Sequence, residues 1–206
     1  MSEFKVTDTT ETQNPEAEKF KEIRPESSDS AQDAKSFWDS TFKELSEPTK
    51  EYDDNGKLYR EGTDLVPNNE YTINGYDYKT ADQGRIVSAE GQLHMKNRQG
   101  RLTIKDSIED IGKGDQRPTD DRGHLIGDQF DGSNGLENIV PQDSKINQGI
   151  FRAFENQLAD EVKSGKNVRV SIEPVYEGDS RRPDALVVTY SIDGEVGMQI
   201  FPNQEV

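Results

Sequence analysis

The chain contains no cysteine. That excludes disulfide bridges, thiolate nucleophiles and cysteine-based zinc sites, and it leaves the compartment open. Positive charge is scarce: 25 lysines and arginines stand against 41 aspartates and glutamates, a formal charge of -16. A simple electrostatic nucleic-acid binder would carry a basic face. Any phosphate-binding surface must therefore be local, or a cation must supply the missing charge. The deficit is not confined to one end, since residues 1–50 hold 12 acids and 7 bases, leaving 29 and 18 for residues 51–206. Apolar residues are few as well, at 30% with a mean hydropathy of -0.99, so a core must be concentrated in part of the chain. No apolar run approaches the roughly 20 residues of a membrane span. The first residues, MSEFKVTDTTETQ, lack the basic and apolar regions of a secretory signal peptide. Export by a route independent of a signal peptide, or a place within a longer chain, stays open.

What is present falls into two parts. Residues 1–48 read as an acidic, largely disordered leader rich in Glu, Asp, Ser, Thr, Pro and Gln. Within it, Phe37, Trp38, Phe42 and Leu45 recur at helical spacing over 34–46, and Pro48 ends the segment. Residues 49–206 form the domain. Asn55-Gly56 marks a turn, and Tyr71-Thr72-Ile73 with Tyr76-Asp77-Tyr78 around Asn74-Gly75 predicts a β-hairpin. The tyrosines there are expected in the core and in cross-strand pairs. Arg85–Ala89 reads as a strand and Gln92–Met95 as its continuation or the next one. Residues 96–119 read as mostly loop. Ser144 is the expected N-cap of a helix whose buried stripe is Ile146, Ile150, Phe154, Leu158 and Val162, with Phe151 beside it and Gly165 past its end. Val168–Ile172, Ala185–Ile192 and Val196–Phe201 alternate as strands, the last two joined at Asp193-Gly194. Strands and one main amphipathic helix in this order predict an α+β fold with a mostly antiparallel sheet.

The densest polar chemistry lies between Asp120 and Glu155. His124, one of two histidines, can take a proton near neutral pH. A lone histidine is more often a packed or solvated residue, and a lone arginine such as Arg122 more often a surface ion pair. Gly123 between them would let backbone approach a ligand closely. No HExxH, EF-hand or three-carboxylate cluster is present. Hydrated Mg²⁺, however, needs only one or two protein ligands. Asn138, Asn147 and Glu155 are candidates. The eight residues from Asn147 to Glu155 return to within about 80° on an α-helix, two turns along.

Four elements in order carry a resemblance: Asp121-Arg122-Gly123-His124, then Leu136-Glu137-Asn138-Ile139-Val140-Pro141-Gln142, then Ile146-Asn147-Gln148-Gly149, then Glu155. This pattern resembles the DNA/RNA non-specific endonucleases, ββα-metal (His-Me finger) nucleases marked by a DRGH motif. It is most similar to a bacterial branch that often occurs as toxin domains of Gram-positive secretion systems. The motif spans residues 121–155, and a looser likeness runs from about Asn69 to the C-terminus. The resemblance implies a ββα-metal core and cleavage of DNA and RNA to 5′-phosphate and 3′-hydroxyl ends. His124 would be the general base and Asn147 the direct ligand of a hydrated Mg²⁺, which Mn²⁺ could replace. Glu155 would hold the metal's waters, Arg122 would bind the phosphate, and Asn138 would support the site. A toxin role would bring a cognate immunity protein. One departure is Asp131-Gly132-Ser133 where the branch has Gly-Gly-Ser, which sets an extra acid near the site. A further phosphate-holding cation is not assigned, with Arg85, Arg98 and Arg117 as candidates by position. The acidity suits an alternative as well: an inactive nuclease-fold interaction protein, or acidic DNA mimic, that binds a basic partner.

Overall fold

The computed structural model describes residues 35–38 and 48–204. The chain divides into two units, residues 1–47 and 48–206. In the first, residues 35–38 form one turn of helix in which the rings of Phe37 and Trp38 meet edge to face at 5.7 Å. The expected disorder of the leader and the rest of the expected helix over 34–46 lie outside the described residues.

The second unit begins with a small antiparallel sheet of β1 (Lys50–Tyr52), β2 (Leu58–Glu61) and β3 (Asp64–Leu65). The main sheet is built from β4 (Glu70–Ile73), β5 (Tyr76–Thr80) and β6 (Ile86–Gln92), all before the motif region. A short helix α1 (Ile108–Gly112) precedes the motif region, which contributes a separate two-stranded ladder of β7 (Asp120–His124) and β8 (Ile139–Asp143). Helix α2 follows in three segments: Ser144–Ile146, the wider turn Asn147–Phe151, and Arg152–Lys163. Then β9 (Val168–Val175), β10 (Ala185–Ile192) and β11 (Glu195–Pro202) complete the main sheet in the order β11-β10-β9-β6-β5-β4, every neighbour antiparallel. No helix among the described residues is long and apolar enough to cross a membrane.

The β4–β5 hairpin turns as expected. Asn74 and Gly75 take φ of 55° and 77°, the positive values of a type I′ turn, and Tyr71 pairs with Tyr78 across the strands. Tyr71, Tyr76 and Tyr78 are buried. Three other expectations change. Residues Leu93–Met95 are not strand: β6 ends at Gln92, after which the Leu93 N–H reaches the Val168 carbonyl and the His94 ring stacks on Tyr76. The 96–119 loop is interrupted by α1, capped by Ser107, whose hydroxyl accepts from the Asp110 N–H. The cap of α2 is Asp143 rather than Ser144, with its carboxylate accepting from the Lys145 N–H at 3.0 Å.

Helix α2 also departs from the regular stripe. Phe151 is 2% exposed and Ile150 is 53% exposed, the reverse of an even four-residue repeat. The cause is the Asn147–Phe151 turn, in which hydrogen bonds run i→i+5. The extra residue advances the buried face from Ile146 to Phe151, after which Leu158 continues it with Phe154 and Val162 partly buried. Phe151, Phe154 and Leu158 close over Val170, Ile172 and Val188 of the main sheet. Phe151 meets Phe201 edge to face at 5.1 Å, and Phe154 meets Tyr190 at 5.3 Å. A buried phenylalanine of this kind stabilises the fold by about 1.5–3 kcal/mol relative to exposure.

Two polar clamps fix the motif ladder to the sheet. Arg182 donates from Nε and Nη2 to the Asp120 carboxylate at 2.7 and 2.8 Å, anchoring the start of β7 to the β9–β10 connection. Asn203, just past β11, accepts from the Asp143 N–H at 2.8 Å and donates to the carbonyls of Pro141 and Pro183.

Candidate active site

β7 and β8 pair from Asp120↔Asp143 to His124↔Ile139, which puts His124 at the end of its strand. Gly123 serves this pairing. A Cβ there would lie 2.6 Å from the Gln142 Cβ, so the glycine makes room for the opposite strand rather than for a ligand. His124 is 6% exposed, and its Nε2 is buried with no hydrogen-bond partner. Burial lowers the imidazole to about 4, and the charge of Arg101 adds to the effect while Asp128 opposes it. The ring is therefore neutral at pH 7 and free to accept a proton.

The loop from Leu125 to Asn138 is held from within. Asn138 is wholly buried, accepts from the Ile126 N–H at 2.8 Å, and donates to the carbonyls of Ile126 and Ser133 at 2.8 and 2.7 Å. It shapes the backbone just past His124 and does not line the cleft. Asp128 is gripped by Lys96 and Arg98 and by the Leu102 N–H. Burial would raise its carboxyl, but these bonds outweigh burial and hold it at about 2. Asp131, the expected extra acid, is paired with Arg98 at 3.1 Å.

The wide turn of α2 brings Asn147 and Glu155 together. One inserted residue makes their eight-residue separation equivalent to about seven α-helical steps, some 20° from two full turns. Both then line one cleft with His124, a space of about 280 Å³. Glu155 lies against Gly127, where a Cβ would fall 2.2 Å from Oε1. Its carboxylate makes no hydrogen bond or ion pair among the described residues. Burial raises it to about 7, against the opposing charges of Arg101 and Arg152. Asn147 is oriented by Asp121: the amide Nδ2 donates to Asp121 Oδ2 at 3.1 Å, and the Gln148 amide donates to the same oxygen at 2.7 Å. That leaves the Asn147 carbonyl oxygen, rather than its N–H groups, able to ligate a cation.

Arg122 does not reach this cleft. Its Nη1 donates to the carbonyls of Ile104 and Asp106, and it lines an adjoining hollow. Of the arginines expected by position, Arg85 binds the carbonyls of Gly178 and Ser180 and covers the Tyr176 ring. Arg98 is taken up by Asp128 and Asp131, and Arg117 is not among the residues lining either cleft. The cations in the cleft are Arg101 and Arg152. Arg152 had a sequence signal, three residues before Glu155 on the same helix. Arg101 had none, since it follows Gly100 in a polar loop.

The arrangement matches a known family. Residues 67–194 match the family described as DNA/RNA non-specific endonuclease. The chain belongs to that family. The endonuclease domain is 34% identical over 153 residues to Type VII secretion system protein EssD of Staphylococcus aureus (strain USA300), covering 68% of this chain and 24% of that protein. It is 28% identical over 123 residues to Probable deoxyribonuclease RhsA of Dickeya dadantii (strain 3937), covering 58% of this chain and 8% of that protein. The chain spans about a quarter or less of the length of these curated relatives. In fold, the endonuclease domain is similar to NucA from Streptococcus agalactiae, solved with a magnesium ion bound. The TM-score is 0.50 at 18% identity, over 77% of this chain and 78% of that one. The β7–β8 ladder with α2 is thus the ββα-metal unit within an α+β domain.

The residues present fit a hydrated cation better than a caged one. Among the described residues no group of three His, Asp or Glu is placed to hold a metal ion. What the cleft offers is one oriented amide and one partnerless carboxylate, the donor set of an ion that keeps most of its water.

Proposed function

We propose that this endonuclease domain hydrolyses phosphodiester bonds of DNA and RNA without sequence specificity, with Mg²⁺ held at Asn147 and Mn²⁺ able to replace it. The observation that carries this reading is a neutral, buried His124 facing the same cleft as Asn147 and the partnerless Glu155. His124 takes a proton from the attacking water. Asn147, held by Asp121, would offer its carbonyl oxygen to the cation, and Glu155 would accept hydrogen bonds from the cation's waters. The bound cation would neutralise charge on the phosphate and the leaving oxygen. Arg101 and Arg152 add fixed positive charge at the cleft.

The test is incubation with supercoiled plasmid and with RNA, with and without Mg²⁺, beside a His124→Ala control. Nicking and linearisation that need both the metal and His124 are expected. Full activity in the variant, or in excess EDTA, overturns the reading. The likeness to a type VII secretion system protein also supports delivery as an antibacterial toxin domain restrained by an immunity protein. Harmless cytosolic expression, without any partner, of a form active in vitro would overturn that role.

A further inference from the structure

Two clefts meet along the wide turn of α2. Arg101, Asn147, Gln148 and Arg152 line both. The first contains His124. The second, about 600 Å³, contains Arg122 and is lined on one side by Leu102, Thr103 and Ile104. Three arginines face this second hollow with a single carboxylate, Asp121, whose Oδ2 is already shared by the Asn147 and Gln148 amides. None of Arg101, Arg122 and Arg152 forms an ion pair among the described residues, in a chain with 41 acids against 25 bases. Where carboxylates are so plentiful, three guanidinium groups around one hollow with no ion pair within 4 Å among the described residues indicate an external anion. Arg122 is also prepared for one: both bonds to the Ile104 and Asp106 carbonyls use Nη1, which fixes the guanidinium and leaves Nη2 and Nε without partners among the described residues.

We propose that the second cleft is a subsite for a phosphodiester next to the one being cut. It rests on the nuclease reading above. The scissile diester occupies the His124 cleft, Arg101 and Arg152 stand on the boundary and serve both, and Arg122 holds the neighbouring phosphate. The favoured substrate is then a strand with at least two consecutive phosphodiesters. Arg122 is a positioning residue that acts through the strand, not a charge on the reacting phosphate.

The experiment compares bis(4-nitrophenyl) phosphate, a lone diester, with a single-stranded octanucleotide. For Arg122→Ala, kcat/KM on the octanucleotide is expected to fall about tenfold more than on the lone diester, chiefly through KM. Thr103→Glu should show the same split, because it sets a negative charge in the second cleft and leaves the Arg122 bonds intact. On a His124→Ala background, anisotropy of a labelled oligonucleotide should show the salt dependence of binding reduced by about one phosphate in Arg122→Ala. Equal losses on both substrates would place Arg122 at the scissile phosphate and overturn the proposal. No loss on either would do the same. A wild-type protein that cuts neither substrate would instead overturn the nuclease reading itself.

Discussion

Asn147 on the helix and Asp121 on the strand are joined by one hydrogen bond of 3.1 Å from amide to carboxylate. This bond decides which end of the amide faces the cleft. An amide turned the other way would present N–H groups to a cation. Asp121→Ala is therefore expected to weaken Mg²⁺ or Mn²⁺ binding about 10–100-fold while the fold persists. Calorimetric titration with Mn²⁺, beside a thermal melt, checks it. Unchanged affinity would show that Asn147 is oriented by something else.

Glu155 gives metal binding a pH dependence. In the protein alone, burial raises its carboxyl to about 7. A cation needs the ionised form, so below pH 7 binding must displace a proton. Affinity should fall about tenfold per unit as the pH drops below 7 and level off above it. Glu155→Gln should flatten the profile. Linkage fixes the sign for stability. The folded metal-free protein holds a proton that the unfolded chain has lost between about pH 4.5 and 7, so this group's contribution is present below 4.5 and lost as the pH rises through 7. His124, lowered by burial from 6.5 to about 4, acts in the opposite sense: the unfolded imidazole binds a proton in this range that the folded ring does not, so its contribution is present above about 6.5 and lost as the pH falls towards 4. Mn²⁺ titrations from pH 5.5 to 8.5 test the profile.

The wide turn of α2 can be tested through its two neighbouring apolar residues. Phe151→Ala should cost about 3–5 kcal/mol, as for a fully buried aromatic. Ile150→Ala should stay within about 0.5 kcal/mol, as for an exposed position. Urea denaturation of both variants decides the matter, and a regular α-helix would give the opposite order.

Asn138 should behave as a structural clamp. Replacing it with alanine leaves the Ile126 N–H and carbonyl and the Ser133 carbonyl buried without partners, at a cost on the order of 3 kcal/mol. The backbone just past His124 should loosen with it. Activity is expected to fall in proportion to that loosening, so cleavage measured on cooling should recover more than in His124→Ala, where the proposed base is gone.

Much of this was legible because some signals are local. Asn74-Gly75 dictates its turn through backbone sterics alone. The four spaced elements from Asp121 to Glu155 carried the family and put His124, Asn147 and Glu155 in one region. Other features depend on contacts that periodicity does not record. The Ile146–Ile150–Phe154 repeat is regular in sequence, yet the helix spends one extra residue at Asn147–Phe151 because the core favours Phe151 over Ile150. β8 went unread because Ile139–Asp143 is buried along its whole length and contains Pro141, so it shows no alternation. Arg101 lies in a loop whose path is set by distant partners, among them the Asp128 carboxylate, which accepts from the neighbouring Leu102 N–H.

Asn203 has a consequence for the order in which the domain becomes competent. Its side chain reaches back 60 residues to the Asp143 N–H, the junction of β8 and the helix that carries Asn147 and Glu155. A growing chain has made every residue of the cleft long before it makes this clamp. Contacts of such range close late, after nearer ones are in place. A ribosome-bound chain that stops short of Asn203 thus holds the whole cleft sequence without the clamp at its strand–helix junction, and becomes competent only once Asn203 has emerged.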